Sequence, residues 1–222
     1  MTPKIEIENV FGYPVIRIQC PDESLYRNID LEKSINKVFN RPEVKFRIRD
    51  RIGDSHVGGG LTTVGETYLK IVHLPGASEL TKWVTEQFLN FKDVLGVKKP
   101  ANDIVYKRAW ANRILRGGQG KCHRHVEFDM FLAEFKDLTS ENFRADAVGI
   151  FYIDVPENSS NLVFIKDGLP DTVHTEFKEE NKWYLNPREG ELIIHSPVSW
   201  HAVTEHHSDL PRNCIVFDAD YV

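Results

Sequence analysis

Nine histidines are spread unevenly along the 222 residues, and their clustering is the first chemical signal. His123 and His125 fall in Cys122-His-Arg-His-Val-Glu-Phe-Asp129, while His195, His201, His206 and His207 gather near the C-terminus. On an extended strand, residues two apart share a face about 7 Å apart, so His123, His125, Glu127 and Asp129 can project into one cavity. Two imidazoles and one carboxylate on one face of a metal suit octahedral iron(II) and leave three positions open for co-substrate and oxygen. His125 and Glu127 supply a histidine and a carboxylate at this spacing. His201 is the best distant donor, because it follows an apolar strand, Gly190 to His195, that turns at Pro197. The preferred ligands are therefore His125, Glu127 and His201, with His123 as the residue that would displace one of them. A set of three histidines would be neutral, which is the reason for favouring the carboxylate. Further on, Arg212 precedes the apolar run Asn213 to Phe217, where a guanidinium can grip a carboxylate through two parallel hydrogen bonds.

The bland alternatives are specific. Two histidines at this spacing are by themselves often an exposed polar strand face. His206 and His207 stand with Glu205, Ser208 and Asp209 and are expected in solvent. His195 lies in an apolar strand and is expected to be a hydrogen-bonded core residue rather than a ligand. Cys122, beside His123, fits a small buried thiol.

These groups need a scaffold. After Pro100 the chain turns to period two and short apolar runs: Ile104 to Ile114, His125 to Phe135, Ala147 to Val155, Leu162 to Ile165, Lys182 to Leu185, Glu191 to His195 and Cys214 to Ala219. Seven short strands separated by Gly, Pro, Asn and Asp turns indicate a two-sheet antiparallel sandwich or jelly roll. Before Pro100, Ile5 to Ile18 alternates as a strand or bent edge strand broken by Gly12 and Pro14. Ile29 to Phe39 has helical spacing, and the clearest helix lies within Leu74 to Leu95, with Ser78 as its cap and Gly96 as its end. Gly58-Gly59-Gly60 lacks the Lys-Ser/Thr of a phosphate loop and is expected to be a turn or mobile loop. The helices would brace one outer face, giving an α+β whole that is mainly β.

Composition excludes several classes. With 41% hydrophobic residues, 27% charged residues and no apolar run of about 18 residues, a membrane-spanning helix is not expected. The first residues lack a signal-peptide pattern, so a cytoplasmic location is expected. Three scattered cysteines suit reduced thiols better than disulfides. A net charge of −5 argues against nucleic acid as a partner, and the basic stretch Lys45 to Arg51 is expected to be a half-exposed strand with a solvated face.

The motifs taken together resemble the 2-oxoglutarate/iron(II) oxygenases found widely in bacteria and in tailed phages, notably cyanophages. The resemblance covers almost the whole chain. It runs through Phe11-Gly-Tyr-Pro-Val15, Trp110-Ala-Asn112, His123-x-His125, Gly149-Ile-Phe-Tyr-Ile153 and Leu162-Val-Phe164. Its most specific part is the tail, from Gly190-Glu-Leu-Ile-Ile194 through Ser196-Pro197 and His201-Ala-Val203 to Arg212.

The resemblance implies a double-stranded β-helix in one oxygenase domain over 1–222. Residues 1–100 would supply a strand and helical support, and residues 101–222 the core with the metal site. It further implies iron(II), with 2-oxoglutarate and O2 as small-molecule co-substrates, and hydroxylation of a substrate with release of succinate and CO2. His201 would be the distal ligand and Arg212 the co-substrate clamp. Tyr152 or Tyr106 would hydrogen-bond 2-oxoglutarate unless it simply fills the interior, and Asn112 would face the same cavity. If phage-encoded, the protein would act in the host cytoplasm. In this family the emphasis falls on His123-x-His125 rather than His125-x-Glu127, so the proximal ligands stay open. The long stretch Phe128 to Asp146 would form an extended hairpin over the active site. Two rivals remain: a cupin-type dioxygenase with three histidines and no use of 2-oxoglutarate, and a non-catalytic phage binding module of the same fold.

Overall fold

The computed structural model describes residues 4–41, 57–63, 71–125, 145–166 and 179–222. Among these residues, ten strands form one antiparallel sheet that curls towards closure. In spatial order the strands are β1 (Ile5–Val10), β2 (Tyr13–Gln19), β8 (Glu191–His195), β5 (Ala147–Asp154), β10 (Arg212–Tyr221), β4 (Ile104–His123), β9 (Trp200–Val203), β6 (Leu162–Ile165) and β7 (Lys182–Leu185), with β3 (Val57–Thr62) pairing β4 beside this path. This is the double-stranded β-helix, or jelly roll, and the assembly is mainly β.

Among the described residues, two α-helices cover the outer face of the sheet. In α1 (Ile29–Phe39) the Asn28 side chain accepts a hydrogen bond from the Leu31 amide, and Leu31, Ile35, Val38 and Phe39 are buried. In α2 (Ser78–Phe91) the buried stripe is Leu80, Trp83, Val84, Gln87 and Phe88. The cap of α2 differs from expectation: Ala77 is the capping residue and makes no side-chain hydrogen bond, so Ser78 is already inside the first turn.

Alternation along the strands divides the apolar residues into two cores. Ile16, Ile18, Phe151, Leu192, Ile194, Ile215 and Phe217 face the helices and pack with Leu31, Phe39, Trp83 and Phe88. Their neighbours Val15, Val148, Ile150, Tyr152, Ile193, Cys214 and Val216 belong to the interior cluster with Trp110, Leu162 and Phe164. Successive side chains on a strand point to opposite faces, so one strand feeds both cores.

Gly149 marks a close approach between sheet and helix. A Cβ there would lie 2.7 Å from Phe88 Cζ and 3.4 Å from Leu192 Cδ1. We expect Gly149→Ala to cost about 1–3 kcal/mol through overpacking, measured as a lower denaturant midpoint at unchanged m-value.

Three local expectations are corrected. Gly58-Gly59-Gly60 is part of β3, with an irregularity in its pairing to β4. The glycines allow the two backbones to meet, since a Cβ on Gly59 would lie 2.7 Å from the Gly118 Cα. The segment from Ile5 to Ile18 is a hairpin of two strands rather than one bent strand, reversing at Phe11 and Gly12. And β4 is far longer than Ile104 to Ile114, ending at His123, so His125 lies beyond it and does not begin a strand. The basic stretch Lys45 to Arg51, Glu127, Asp129 and nearly all of the Phe128 to Asp146 segment lie outside the described residues.

Among the described residues, no helix is long and apolar enough to cross a membrane. The N-terminal hairpin continues the central sheet through β2 and β8, and so contributes to the same sheet as residues 101–222.

Candidate metal and co-substrate site

A β-bulge sets which residues of β4 face inward. Asp218 opposes Arg108 but Ala219 opposes Tyr106, so Lys107 is an extra residue on β4. The inserted residue switches the alternation. Tyr106 belongs to the helix-side core, whereas Trp110, Asn112 and Ile114 line an interior cavity. On β10 the inward positions are Arg212, Cys214 and Val216, and on β5 they are Ile150 and Tyr152. These residues, with Leu162, Val203 and three histidines, line one cavity that is partly open to solvent.

The three histidines are His123, His125 and His201, whose candidate donor atoms all lie within 4.8 Å of one another. Cross-strand registry creates the first pair. His123 at the end of β4 sits opposite His201 on β9, with ring centroids 4.3 Å apart. Residues directly opposite on antiparallel strands have adjacent side chains.

His125, past the strand end, is positioned by other means. Its backbone amide donates to the Pro197 carbonyl at 2.9 Å, its ring stacks on Trp110 at 5.7 Å, and its Nδ1 lies 2.6 Å from Asp218 Oδ1.

Asp218 is fully buried and also receives Arg108, whose Nε lies 2.5 Å from Oδ2. Burial opposes its ionisation, but His125 and Arg108 together outweigh burial and hold the carboxyl below the usual range. An ionised Asp218 can only accept, so His125 carries a hydrogen on Nδ1, and in the neutral ring Nε2 is the acceptor. That Nε2 is buried and has no hydrogen-bond partner. His201 repeats the logic, because its Nδ1 lies 3.1 Å from the Ser199 carbonyl. Burial, reinforced by the neighbouring imidazoles, keeps the His201 pKa well below the ordinary value, so its ring is neutral at pH 7. Imidazoles whose Nδ1 hydrogen is engaged and whose Nε2 is free are in the form that binds a divalent metal, and the partner at Nδ1 orients the ring. The donor set fits iron(II) on these grounds.

Arg212 occupies the same cavity. It is 2% exposed, gives one Nη1 hydrogen bond to the Ser160 carbonyl at 2.9 Å, and lies with its Cζ 5.3 Å from the Tyr152 ring. Its Nε has no partner, and no carboxylate among the described residues pairs with it. A buried guanidinium without a counter-ion is costly, and a ligand carboxylate would satisfy it. Asn112, on the neighbouring strand, has a buried Oδ1 without a partner. Tyr152 is fully enclosed, and burial drives its pKa up strongly despite the opposing charge of Arg212, so the phenol keeps its proton.

Thus the structure brings together His123, His125, His201, Arg212, Asn112 and Tyr152, while Glu127 lies outside the described residues. Tyr106 is directed to the helix side, where its hydroxyl pairs with Thr85 at 2.7 Å. His206 is not in solvent. It is 0% exposed, with Nδ1 accepting from the Ser160 amide at 3.3 Å and Nε2 2.8 Å from the Leu210 carbonyl. It thereby braces the residue whose carbonyl receives Arg212. His207 is exposed, as expected. Reasoning on sequence overlooked Asp218 and Arg108. The available signal was the two-residue period from Arg212, which puts 214, 216 and 218 on one face and leaves an acid in an otherwise apolar row.

Residues 144–218 match the sequence profile of a family described as "Putative 2OG-Fe(II) oxygenase". A search of curated proteins finds no significant match. Among solved structures, the chain is similar to the viral collagen prolyl hydroxylase of Paramecium bursaria Chlorella virus-1 in its 2OG complex. The TM-score is 0.51 at 13% identity, covering 94% of this chain and 96% of that one. It is similar to OsALKBH1 with TM-score 0.50 at 10% identity, covering 97% and 99%. A 2OG-Fe(II) oxygenase family oxidoreductase from Burkholderia pseudomallei is matched at 16% identity and TM-score 0.45, over 67% of this chain and 60% of that one. Over residues 144–218 the chain is thus similar in sequence to that family, and over nearly its whole length it shares the fold of the viral prolyl hydroxylase and of OsALKBH1.

Proposed function

We propose that the protein is an iron(II)- and 2-oxoglutarate-dependent hydroxylase whose metal is held by His123, His125 and His201 and whose co-substrate carboxylate is held by Arg212. The observation that carries this reading is the buried Arg212, without a carboxylate partner among the described residues, in the same cavity as three converging imidazoles. When bound, iron couples the oxidative decarboxylation of 2-oxoglutarate, with release of succinate and CO2, to hydroxylation of a substrate. The residues of the chain bind and orient. Arg212 offers Nε and its remaining Nη hydrogens to the distal carboxylate, Tyr152 keeps a phenolic proton available to donate, and Asn112 contributes an amide on the neighbouring strand. Asp218 holds the Nδ1 proton of His125 so that Nε2 stays free. The apolar walls, Ile114, Ile150, Leu162, Val203 and Val216, exclude water, which strengthens the charge pairing at Arg212.

A cupin-type enzyme with three histidines and no 2-oxoglutarate would leave Arg212 without purpose, and a binding module would leave three converging imidazoles without purpose. The test is an anaerobic titration of the full chain with iron(II) and then 2-oxoglutarate. The expected result is stoichiometric metal binding followed by a visible charge-transfer band that saturates at one equivalent. Iron binding without the band would point to the cupin-type reading, and no metal binding to the binding module.

A further inference from the structure

A fourth histidine adjoins the three. His195 ends β8, is 0% exposed, and lies between Val15 of β2 and Val148 of β5 in the sheet. Its ring centroid is 4.9 Å from that of His201 and 6.4 Å from that of His125, both edge-on. Phe164 flanks it at 5.2 Å.

Its hydrogen bonding repeats the pattern of the ligands. Nδ1 lies 2.9 Å from the Ser196 carbonyl, and a carbonyl only accepts, so the hydrogen is on Nδ1. In the neutral ring, Nε2 is then an acceptor. It is buried with no partner. The two imidazoles in ring contact with it do not supply one: the Nδ1 hydrogen of His201 is directed to Ser199, and that of His125 to Asp218. The Nε2 atoms of His195 and His125 are both buried without a partner, a costly arrangement unless something with hydrogens to give binds there. His195 does not join the group of donor atoms lying within 4.8 Å of one another, which separates it from direct ligation. A water on a metal has its oxygen committed to the ion and its hydrogens polarised outward, so it donates strongly.

We infer that His195 is a positioning residue of the metal centre, its Nε2 accepting a hydrogen bond from a water bound to the ion held by His123, His125 and His201. The inference rests on the metal site proposed above and adds to it a residue that holds a solvent ligand in a fixed orientation.

Manganese(II) is the probe, added anaerobically to the full chain, with water-proton relaxation reporting exchange of metal-bound water. His195→Phe removes the acceptor at similar size, and His195→Gln restores one through its carbonyl oxygen. The expected result is that all three proteins bind manganese, and that exchange in the Phe variant is faster by roughly three- to tenfold, the equivalent of one lost hydrogen bond. The Gln variant should return towards the native rate. A purely structural His195 predicts a lower melting temperature with unaltered relaxation, and that outcome overturns the inference while leaving the metal site standing. A native chain that binds no manganese overturns both. Should the Phe variant fail to fold, the 15N resonance of His195 Nε2 in the native chain decides. It must move upfield when zinc(II) is added, and an unmoved resonance overturns the inference.

Discussion

Replacing Arg212 with leucine is expected to abolish tight 2-oxoglutarate binding while leaving the fold and iron(II) affinity intact. The guanidinium is buried and has no acid of its own among the described residues, so its removal strands no counter-charge. One hydrogen bond to the Ser160 carbonyl is lost, and leucine suits a cavity walled by Ile114, Leu162 and Val203. The binding loss should be large, because truncating one member of a buried, hydrogen-bonded charge pair costs about 2–5 kcal/mol, or roughly 30- to 4000-fold in affinity. Arg212→Lys keeps the charge but not the planar fork, and should fall between. The dissociation constant of 2-oxoglutarate from the anaerobic iron(II) protein is the measurement. An unchanged constant in the leucine variant would remove Arg212 from the co-substrate site.

Asp218→Ala is expected to behave in the opposite way, damaging stability and metal binding together. This carboxylate is fully committed, to His125 through Oδ1 and to Arg108 through Oδ2. Its loss leaves a buried imidazole hydrogen without an acceptor and the Arg108 cation without its carboxylate. Breaking one side of a buried pair costs about 3–5 kcal/mol. The lower end applies here, because the Arg108 side chain is 30% exposed and can turn to water. His125 would also lose the group that fixes its tautomer, and outer-sphere partners of this type are worth about 10- to 100-fold in metal affinity. Asp218→Asn retains an acceptor for Nδ1 and should preserve much of the affinity at some cost in stability. Denaturant unfolding and iron(II) titration of both variants provide the check. Equal iron affinity in Ala and Asn variants would show that Asp218 does not orient His125.

Much of this architecture was legible in the sequence, for identifiable reasons. Ile29–Phe39, Leu162–Ile165, Lys182–Leu185 and Glu191–His195 are bounded as expected, because strong apolar periods end at Gly, Pro, Asn or Asp. Other features depend on partners that no local window contains. The glycines of β3 look like a turn, yet they serve to bring two backbones together. His206 sits among polar residues but is buried by bonds to Ser160 and Leu210 across the fold. His125 looks like the start of a strand, and its orientation comes from Pro197, Trp110 and Asp218, all distant in sequence. At the site, His123, His125 and His201 as candidate ligands and Arg212 as a candidate clamp were visible as residue types. The partner of His125 was not, since Asp218 shows its role only once β10 is aligned with β4.

The extra residue in β4 has a consequence for how this chain tolerates change. Lys107 works as a spacer between two phases of the same strand, one read by the helices and one by the cavity. Deleting it would straighten the ladder and leave every neighbour facing as before, at the expense of its surface pair with Asp220, now 3.3 Å long. Deleting Ala109 instead would put one segment of the strand out of phase, either turning Tyr106 into the interior or withdrawing Trp110 and Asn112 from it. Two deletions two positions apart would thus differ as a trimmed surface differs from an erased active site.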